Sequence, residues 1–331
     1  MVTQIVARFK EDVMRRQAIR LLAAGALVVG AMTAGCRPVA PAEDATLKLG
    51  LLPILETLPM HVAEAQGYFK EAGVQVEFVP VASAAERDQL MQAGQIDGMI
   101  NDLVSTVLYN KDAQKIAVIR FARTATPDIA QYAILAGKDS GIQTVQDLKG
   151  VEIGISDGTV IAYVTDRLLQ LEGLAPVDIR TTSVVRIADR LQLLGQGQLK
   201  AATLPDPFYS LAIQDGATVI VDDRAHTEIG NSVLSFSVAA LKDKPQTVRK
   251  FLGALDKAIA DVNADPARWN DLMVEKKLIP APLAGKYTLP QLPAGAAPTE
   301  AQFKDVQDWM IGKGLIQSPV PYDKLVALDL K

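Results

Sequence analysis

Ala63-Glu64-Ala65-Gln66-Gly67-Tyr68-Phe69-Lys70-Glu71-Ala72-Gly73-Val74 is the stretch on which the fold turns. Gly67 and Gly73 are residues that let a helix end and the chain turn. Tyr68 and Phe69 supply large apolar surface at that helix end. Working outward, Pro59 to Phe69 reads as a helix and Val74 to Pro80 as a strand. Thr46 to Leu52, with its alternating apolar residues, reads as the strand before them. Strand, helix, strand is the unit of a parallel sheet with helices packed on it.

The rhythm continues. Helices are expected at Ala84–Ala93 and Leu103–Tyr109, and strands at Gly98–Asn101, Lys115–Phe121 and Tyr132–Ala136. A second unit follows. Its strands are Glu152–Ile155, Ile179–Val184, Ala201–Thr203 and Thr218–Val221. Its helices are Thr144–Leu148, Thr159–Glu172, Ile187–Leu194 and Phe208–Asp215. Val233–Leu241 reads as a returning strand. Pro245–Ala264 carries Val248, Phe251, Leu252, Leu255, Ile259 and Val262 at helical spacing. Thr299-Glu300-Ala301-Gln302 has the form of a capping box opening a helix with Phe303, Val306 and Met310 inward. Residues 280–298, rich in Pro and Ala, read as an irregular surface loop.

The N-terminus has a different character. Arg15, Arg16 and Arg20 precede the apolar run Leu21 to Gly35, which ends at Cys36, the one cysteine of the 331 residues. A basic start, a short apolar core and small residues before a cut describe a secretory signal. Ala34-Gly35-Cys36 resembles a bacterial lipobox, with Thr33 where leucine is usual. On that reading residues 1–35 are removed, Cys36 carries lipid, and 36–45 form a tether. An ordinary secretory signal and an uncleaved anchor remain as alternatives. The run is shorter than the ~20 residues of a spanning helix. Arg15-Arg16-Gln17-Ala18-Ile19-Arg20 partly resembles a twin-arginine signal, so the export route stays open.

Composition narrows the rest. Five of the 34 basic and two of the 38 acidic residues lie in 1–35, which leaves 29 and 36, a net charge of −7. Such a surface argues against nucleic acid, whose phosphates call for basic patches. His61 and His226 are the two histidines, so no His-rich metal site is expected, and both read as packing or surface residues. No cofactor is implied.

Three stretches carry a family resemblance. Ala63 to Val74 is similar to an A-x-x-x-G-Y-F-K-x-x-G-V signature. Gly94-Gln95-Ile96-Asp97-Gly98 is similar to a G-x-x-D turn. Leu204-Pro205-Asp206-Pro207-Phe208, ending at Gly216-Ala217, is similar to an L-P-E-P-F…G-A segment. Together they resemble the solute-binding proteins of bacterial ABC importers, in the type II group that takes nitrate, sulfonates, taurine and thiamine-type pyrimidines. The resemblance implies an α/β fold of two lobes, each a mainly parallel sheet flanked by helices, joined by two crossover strands. Lobe one would be 46–136 with 232–331, and lobe two 137–231. It also implies a monomeric receptor, lipid-anchored on the outer face of the cell membrane and serving an ABC permease and its ATPase. A related receptor could instead signal to a sensor.

In open α/β sheets ligands bind beyond the carboxyl ends of the strands. In the first lobe that rule selects Glu56, Thr57, Asn101, Asp102 and Arg123. In the second it selects Ser156, Asp157, Gly158, Thr159, Arg186, Asp206 and Phe208, with Tyr163 as an aromatic face at the edge. Glu56, Asp102, Asp157 and Asp206 put an acid in four loops. Carboxylates accept hydrogen bonds and so suit ring N–H, amino or hydroxyl donors. Asp102 and Asp157 also suit helix N-caps. The expected ligand is a small heteroaromatic vitamin or precursor, with riboflavin favoured. A thiamine pyrimidine precursor or a sulfonate- or nitrate-type anion is the alternative. An enzyme resembling the thiamine-pyrimidine synthases is the rival of another class. Those enzymes use a cysteine-rich, iron-binding segment, and no cysteine follows Cys36 here.

Overall fold

The computed structural model describes residues 43–327, which from Asp44 onward form one compact unit. The readings of 1–35 as a signal and of Cys36 as a lipid site lie outside the described residues. Among the described residues no helix is long and apolar enough to cross a membrane.

Two five-stranded sheets organise the chain. The first joins β1 (Thr46–Leu51), β2 (Gln75–Pro80), β3 (Gly98–Asp102), β4 (Ile116–Arg123) and β10 (Ser232–Ser237) in the order β2-β1-β3-β10-β4. The second joins β5 (Tyr132–Ala136), β6 (Glu152–Ile155), β7 (Arg180–Ser183), β8 (Ala201–Pro205) and β9 (Thr218–Asp222) in the order β7-β6-β8-β5-β9. β1 runs parallel to β2 and β3, and β10 antiparallel to β3 and β4. The second sheet repeats this: β6 is parallel to β7 and β8, and β5 antiparallel to β8 and β9. The two halves are therefore one topology used twice.

The pairing of β5 corrects one expectation. Tyr132–Ala136 does not close the first lobe at residue 136, because all five residues pair with β8. The chain passes between the sheets in the irregular segments 124–131 and 223–231 instead. A five-residue apolar strand fits either sheet, and its partners lie some 70 residues downstream.

Helices cover the sheets as the apolar spacing requires. In the first half they are α1 (Leu58–Ala65), α2 (Tyr68–Glu71), α3 (Ala84–Gln92) and α4 (Leu103–Asn110). In the second half they are α5 (Val160–Leu171), α6 (Ile187–Gly195) and α7 (Phe208–Gln214). After β10 come α8 (Val238–Asp243), α9 (Pro245–Ala264), α10 (Asn270–Glu275) and α11 (Glu300–Gly312). The single helix expected over Pro59–Phe69 is split at Gly67, whose φ of 76° breaks it. Val238–Leu241 is not strand: the Ser237 hydroxyl accepts from Ala240 N at 3.1 Å and starts α8. α9 buries the six apolar residues read from its spacing, and Phe251 stacks on Phe69 with centroids 5.2 Å apart. α11 opens on the expected capping box between Thr299 and Gln302. Its Phe303, Val306 and Met310 enter a core that also holds α4, α5 and strands of both sheets.

Candidate inter-sheet site

The strand ends place the site. Arg123 closes β4, Asp206 follows β8, Glu56 follows β1, and Ser232 opens β10. Gln131 and Asp223 lie in the two crossing segments. Arg123 donates from Nη2 to Asp206 Oδ2 at 2.5 Å and to the Ala130 carbonyl at 3.3 Å. Both side chains of this ion pair are withdrawn from water, at 0% and 1% exposure. Ser210 donates to the other Asp206 oxygen, and Tyr287 donates to Oδ2. Burial works against charge on Arg123. The carboxylate of Asp206, then Tyr287 and Glu56, outweigh it, and the net shift of its pKa is upward.

Glu56 Oε1 accepts from Gln131 Nε2 at 3.3 Å and from Ser232 Oγ at 3.2 Å, while Gln131 Nε2 also reaches Ser232 Oγ at 2.7 Å. Asp223 ties the crossing segment to β5: its oxygens accept from Gln131 N at 2.8 Å and Tyr132 N at 3.1 Å. Burial raises the Asp223 pKa to about 7, against the opposing effect of those two backbone donors. Four buried atoms of this cluster have no partner among the described residues: the donors Arg123 Nε and Nη1, and the acceptors Glu56 Oε2 and Gln131 Oε1. Buried polar atoms are nearly always paired, so this cluster holds unspent capacity of both kinds.

Of the expected residues, Glu56, Arg123 and Asp206 come together in this cluster. Other expected residues are occupied locally. Asp102 caps α4 by accepting from Ser105 N at 2.9 Å, and burial raises its pKa despite nearby Arg87. Asn101 bridges Ser105, Thr106 and Ser235. Thr57 donates to the Ile54 carbonyl. Ser156 is buried and its carbonyl accepts from Thr159. Thr159, not Asp157, is the N-cap of α5, since its hydroxyl accepts from Ile161 N at 3.2 Å. Asp157 is exposed and lies with Gly158 at a small cavity of about 200 Å³ beside Trp309 and Lys313.

Three residues point elsewhere. Arg186 is exposed beside Asp189. Phe208 packs half-buried in the small core around Leu204. Tyr163 donates to Asp305 at 2.6 Å and stands edge-on to Trp309. The sequence reading missed Gln131, Asp223, Ser232 and Tyr287. Residues 280–298 are irregular as expected, yet Leu283, Leu289 and Leu292 are buried, so this is no surface loop. An aromatic and three leucines among its prolines were the available sign. Among the described residues no group of three His, Cys, Asp or Glu could hold a metal ion.

Comparison with known proteins bears on the family and the fold. The family model described as NMT1/THI5 like matches residues 55–268. A putative aliphatic sulfonates-binding protein of Escherichia coli (strain K12) is 27% identical over 175 residues, 53% of this chain and 54% of that protein. The chain thus spans about half the length of that relative. A putative thiamine biosynthesis protein of Haemophilus influenzae is 24% identical over 264 residues, 77% of this chain and 82% of the relative. The crystal structure of the periplasmic aliphatic sulphonate binding protein SsuA from Escherichia coli superposes with a TM-score of 0.73 at 19% identity, covering 86% of this chain and 92% of that one. That likeness shows the fold, the type II periplasmic binding protein architecture of paired α/β sheets. With the family model spanning well over half of its length, the chain belongs to the NMT1/THI5-like family.

Proposed function

We propose that this chain is the extracytoplasmic solute-binding component of an ABC importer, held at the membrane by lipid on Cys36 and working as a monomer. The two sheets act as lobes about the segments 124–131 and 223–231. Closure on a solute supplies affinity and presents a surface to the permease. The names of the sulfonate-binding relatives support the receptor role. Catalysis is outside this reading: the sole cysteine is the anchor, and the site cluster is built of ion pairs and hinge contacts.

The observation that carries the ligand class is the mixed cluster at Arg123, Glu56 and Gln131. Two unspent donors beside two unspent acceptors match the edge of a neutral heterocycle that alternates carbonyl or ring nitrogen with N–H. Riboflavin, with an imide edge, is the favoured member, and a thiamine pyrimidine precursor fits the same array. A sulfonate suits Arg123 alone and would be repelled by Glu56; the relatives' names keep it as the second reading.

Titration of the purified chain with riboflavin, following flavin fluorescence, tests the choice beside the thiamine pyrimidine and taurine. Quenching that Glu56→Gln weakens supports it. Binding of taurine alone would overturn the heteroaromatic reading and leave the receptor role standing. Cys36→Ala should release protein from membranes with solute binding intact; protein that stays membrane-bound contradicts the anchor.

A further inference from the structure

A cavity of about 600 Å³ lies between β4, the second crossing segment, α5 and the start of α11, and Glu56, Arg123, Gln131 and Asp206 are not part of its lining. Its size falls within the range of small-molecule sites. Phe121, Leu171 and Ile229 give it apolar walls. Its charged side chains are Arg167, Glu228 and Asp305, a net of −1. The cation among them is spent. Arg167 donates from Nε and Nη2 to the two oxygens of Asp305, at 3.0 and 2.5 Å, and Tyr163 donates to the same carboxylate.

Asn231 is what remains open. It is 1% exposed and lines the cavity. Its Nδ2 donates to the Glu228 carbonyl at 2.9 Å, and since a carbonyl only accepts, that bond fixes the amide orientation. Its Oδ1 is left with no partner among the described residues. A buried acceptor without a donor is a costly feature, and the residue that carries it lines this cavity.

We propose that this cavity is a second small-molecule site, for a neutral or cationic compound that carries a flat apolar body and an N–H donor. The body lies between Phe121, Leu171 and Ile229, and the N–H meets Asn231 Oδ1. Anions are disfavoured, because the guanidinium of Arg167 is already neutralised and two carboxylates lie in the lining. A compound held here touches β4 and the second crossing segment as well as α5 and α11, and so bears on the hinge.

Three isosteric probes test the claim on the full chain by saturation-transfer NMR and titration: benzamide, benzamidine and benzoate. Benzamide and benzamidine should bind, with benzoate weaker by about tenfold or more, the worth of one hydrogen bond. Asn231→Leu should weaken benzamide by a similar factor. Ala301→Trp, at an exposed helix position on the cavity wall, should abolish binding without unfolding the chain, which covers the case in which Asn231→Leu fails to fold. Glu56→Gln should leave benzamide binding unchanged. Equal binding of benzamide and benzoate, or benzamide binding that survives Ala301→Trp but falls in Glu56→Gln, overturns the proposal. Failure of riboflavin to bind would sink the receptor's ligand reading without touching this one.

Discussion

Arg190→Met should leave the chain as stable as before, or slightly more so, although it deletes a fully buried charge. Arg190 is 0% exposed. Its Nη1 donates to the carbonyls of Val184 and Val185 at 2.7 and 3.2 Å, while Nε and Nη2 have no partner among the described residues. No ion pair involving it is found among them, and burial pulls its pKa down to about 10. A displacement of that size from 12.5 corresponds to a penalty on the order of 3 kcal/mol. Against its removal stand two hydrogen bonds from a charged donor to carbonyls, worth about 1.5–2 kcal/mol each. Methionine restores roughly 1–2 kcal/mol of apolar burial. The terms sum to a change near zero or about 2 kcal/mol in favour of the variant.

Arg123→Met is the contrasting case. It strands Asp206, whose side chain is 1% exposed, and should cost about 3–5 kcal/mol. Urea unfolding followed by circular dichroism separates the two outcomes. A loss above about 2 kcal/mol in Arg190→Met would refute the reasoning, for it would mean that something compensates this cation.

Other outcomes follow from the same contacts. Asp223 has a folded pKa of about 7 against an unfolded value near 3.8. Between these the folded chain keeps a proton that the unfolded chain has lost, so stability falls as pH rises through this window, by up to ~4 kcal/mol. Asp223→Asn should flatten that slope in urea midpoints taken from pH 4 to 8, and an unchanged slope would place the titration elsewhere. His61 runs the other way. Burial holds it down at about 4, so its contribution is lost as pH falls below 6.5, and His61→Gln should protect the chain in acid. Gly230 has φ 74°, and an added Cβ would meet Tyr132 and Val164 at 2.8 Å; Gly230→Ala should cost at least about 2 kcal/mol in thermal unfolding. Gly158→Ala, at φ 66° in open space, should cost only the conformational share, about 1 kcal/mol. Tyr287→Phe should lose about 1–2 kcal/mol, because Asp206 keeps Arg123 and Ser210.

The layers were legible in the sequence because periodicity is local. The runs at Val74–Pro80 and Pro245–Ala264 declare strand and helix without reference to anything distant. Sheet membership is not local, and nothing within Tyr132–Ala136 itself distinguishes the second sheet, where it pairs, from the first. The site divides in the same way. Glu56, Arg123 and Asp206 follow from the rule about strand ends. Ser232 meets Glu56 across 176 positions, and Tyr287 meets Asp206 across 81, with no motif linking either pair. Asp157 was weighed as a cap because it is acidic and close to a helix. Thr159, directly before Val160, has the shorter reach to Ile161 N.

The repeated topology gives Arg190, which has no counter-charge among the described residues, a counterpart that has one. Gly94-Gln95-Ile96 leads into β3 as Gly197-Gln198-Leu199 leads into β8, and an arginine stands seven residues before each glycine. In the first half Arg87 donates to Asp88 and lies close enough to Asp102 to favour that carboxylate's charge. The corresponding positions in the second half are Leu191 and Pro205. Apolar residues thus stand around Arg190 where the first half has acids around Arg87. In the second half the acid stands one residue further on, at Asp206 after β8, and it pairs with Arg123 of the other sheet. The first half thus keeps its ion pair inside one helix, Arg87 with Asp88, whereas Asp206 pairs across to the other sheet. Moving the two sheets apart would therefore require breaking a buried salt bridge, a coupling that neither half carries alone.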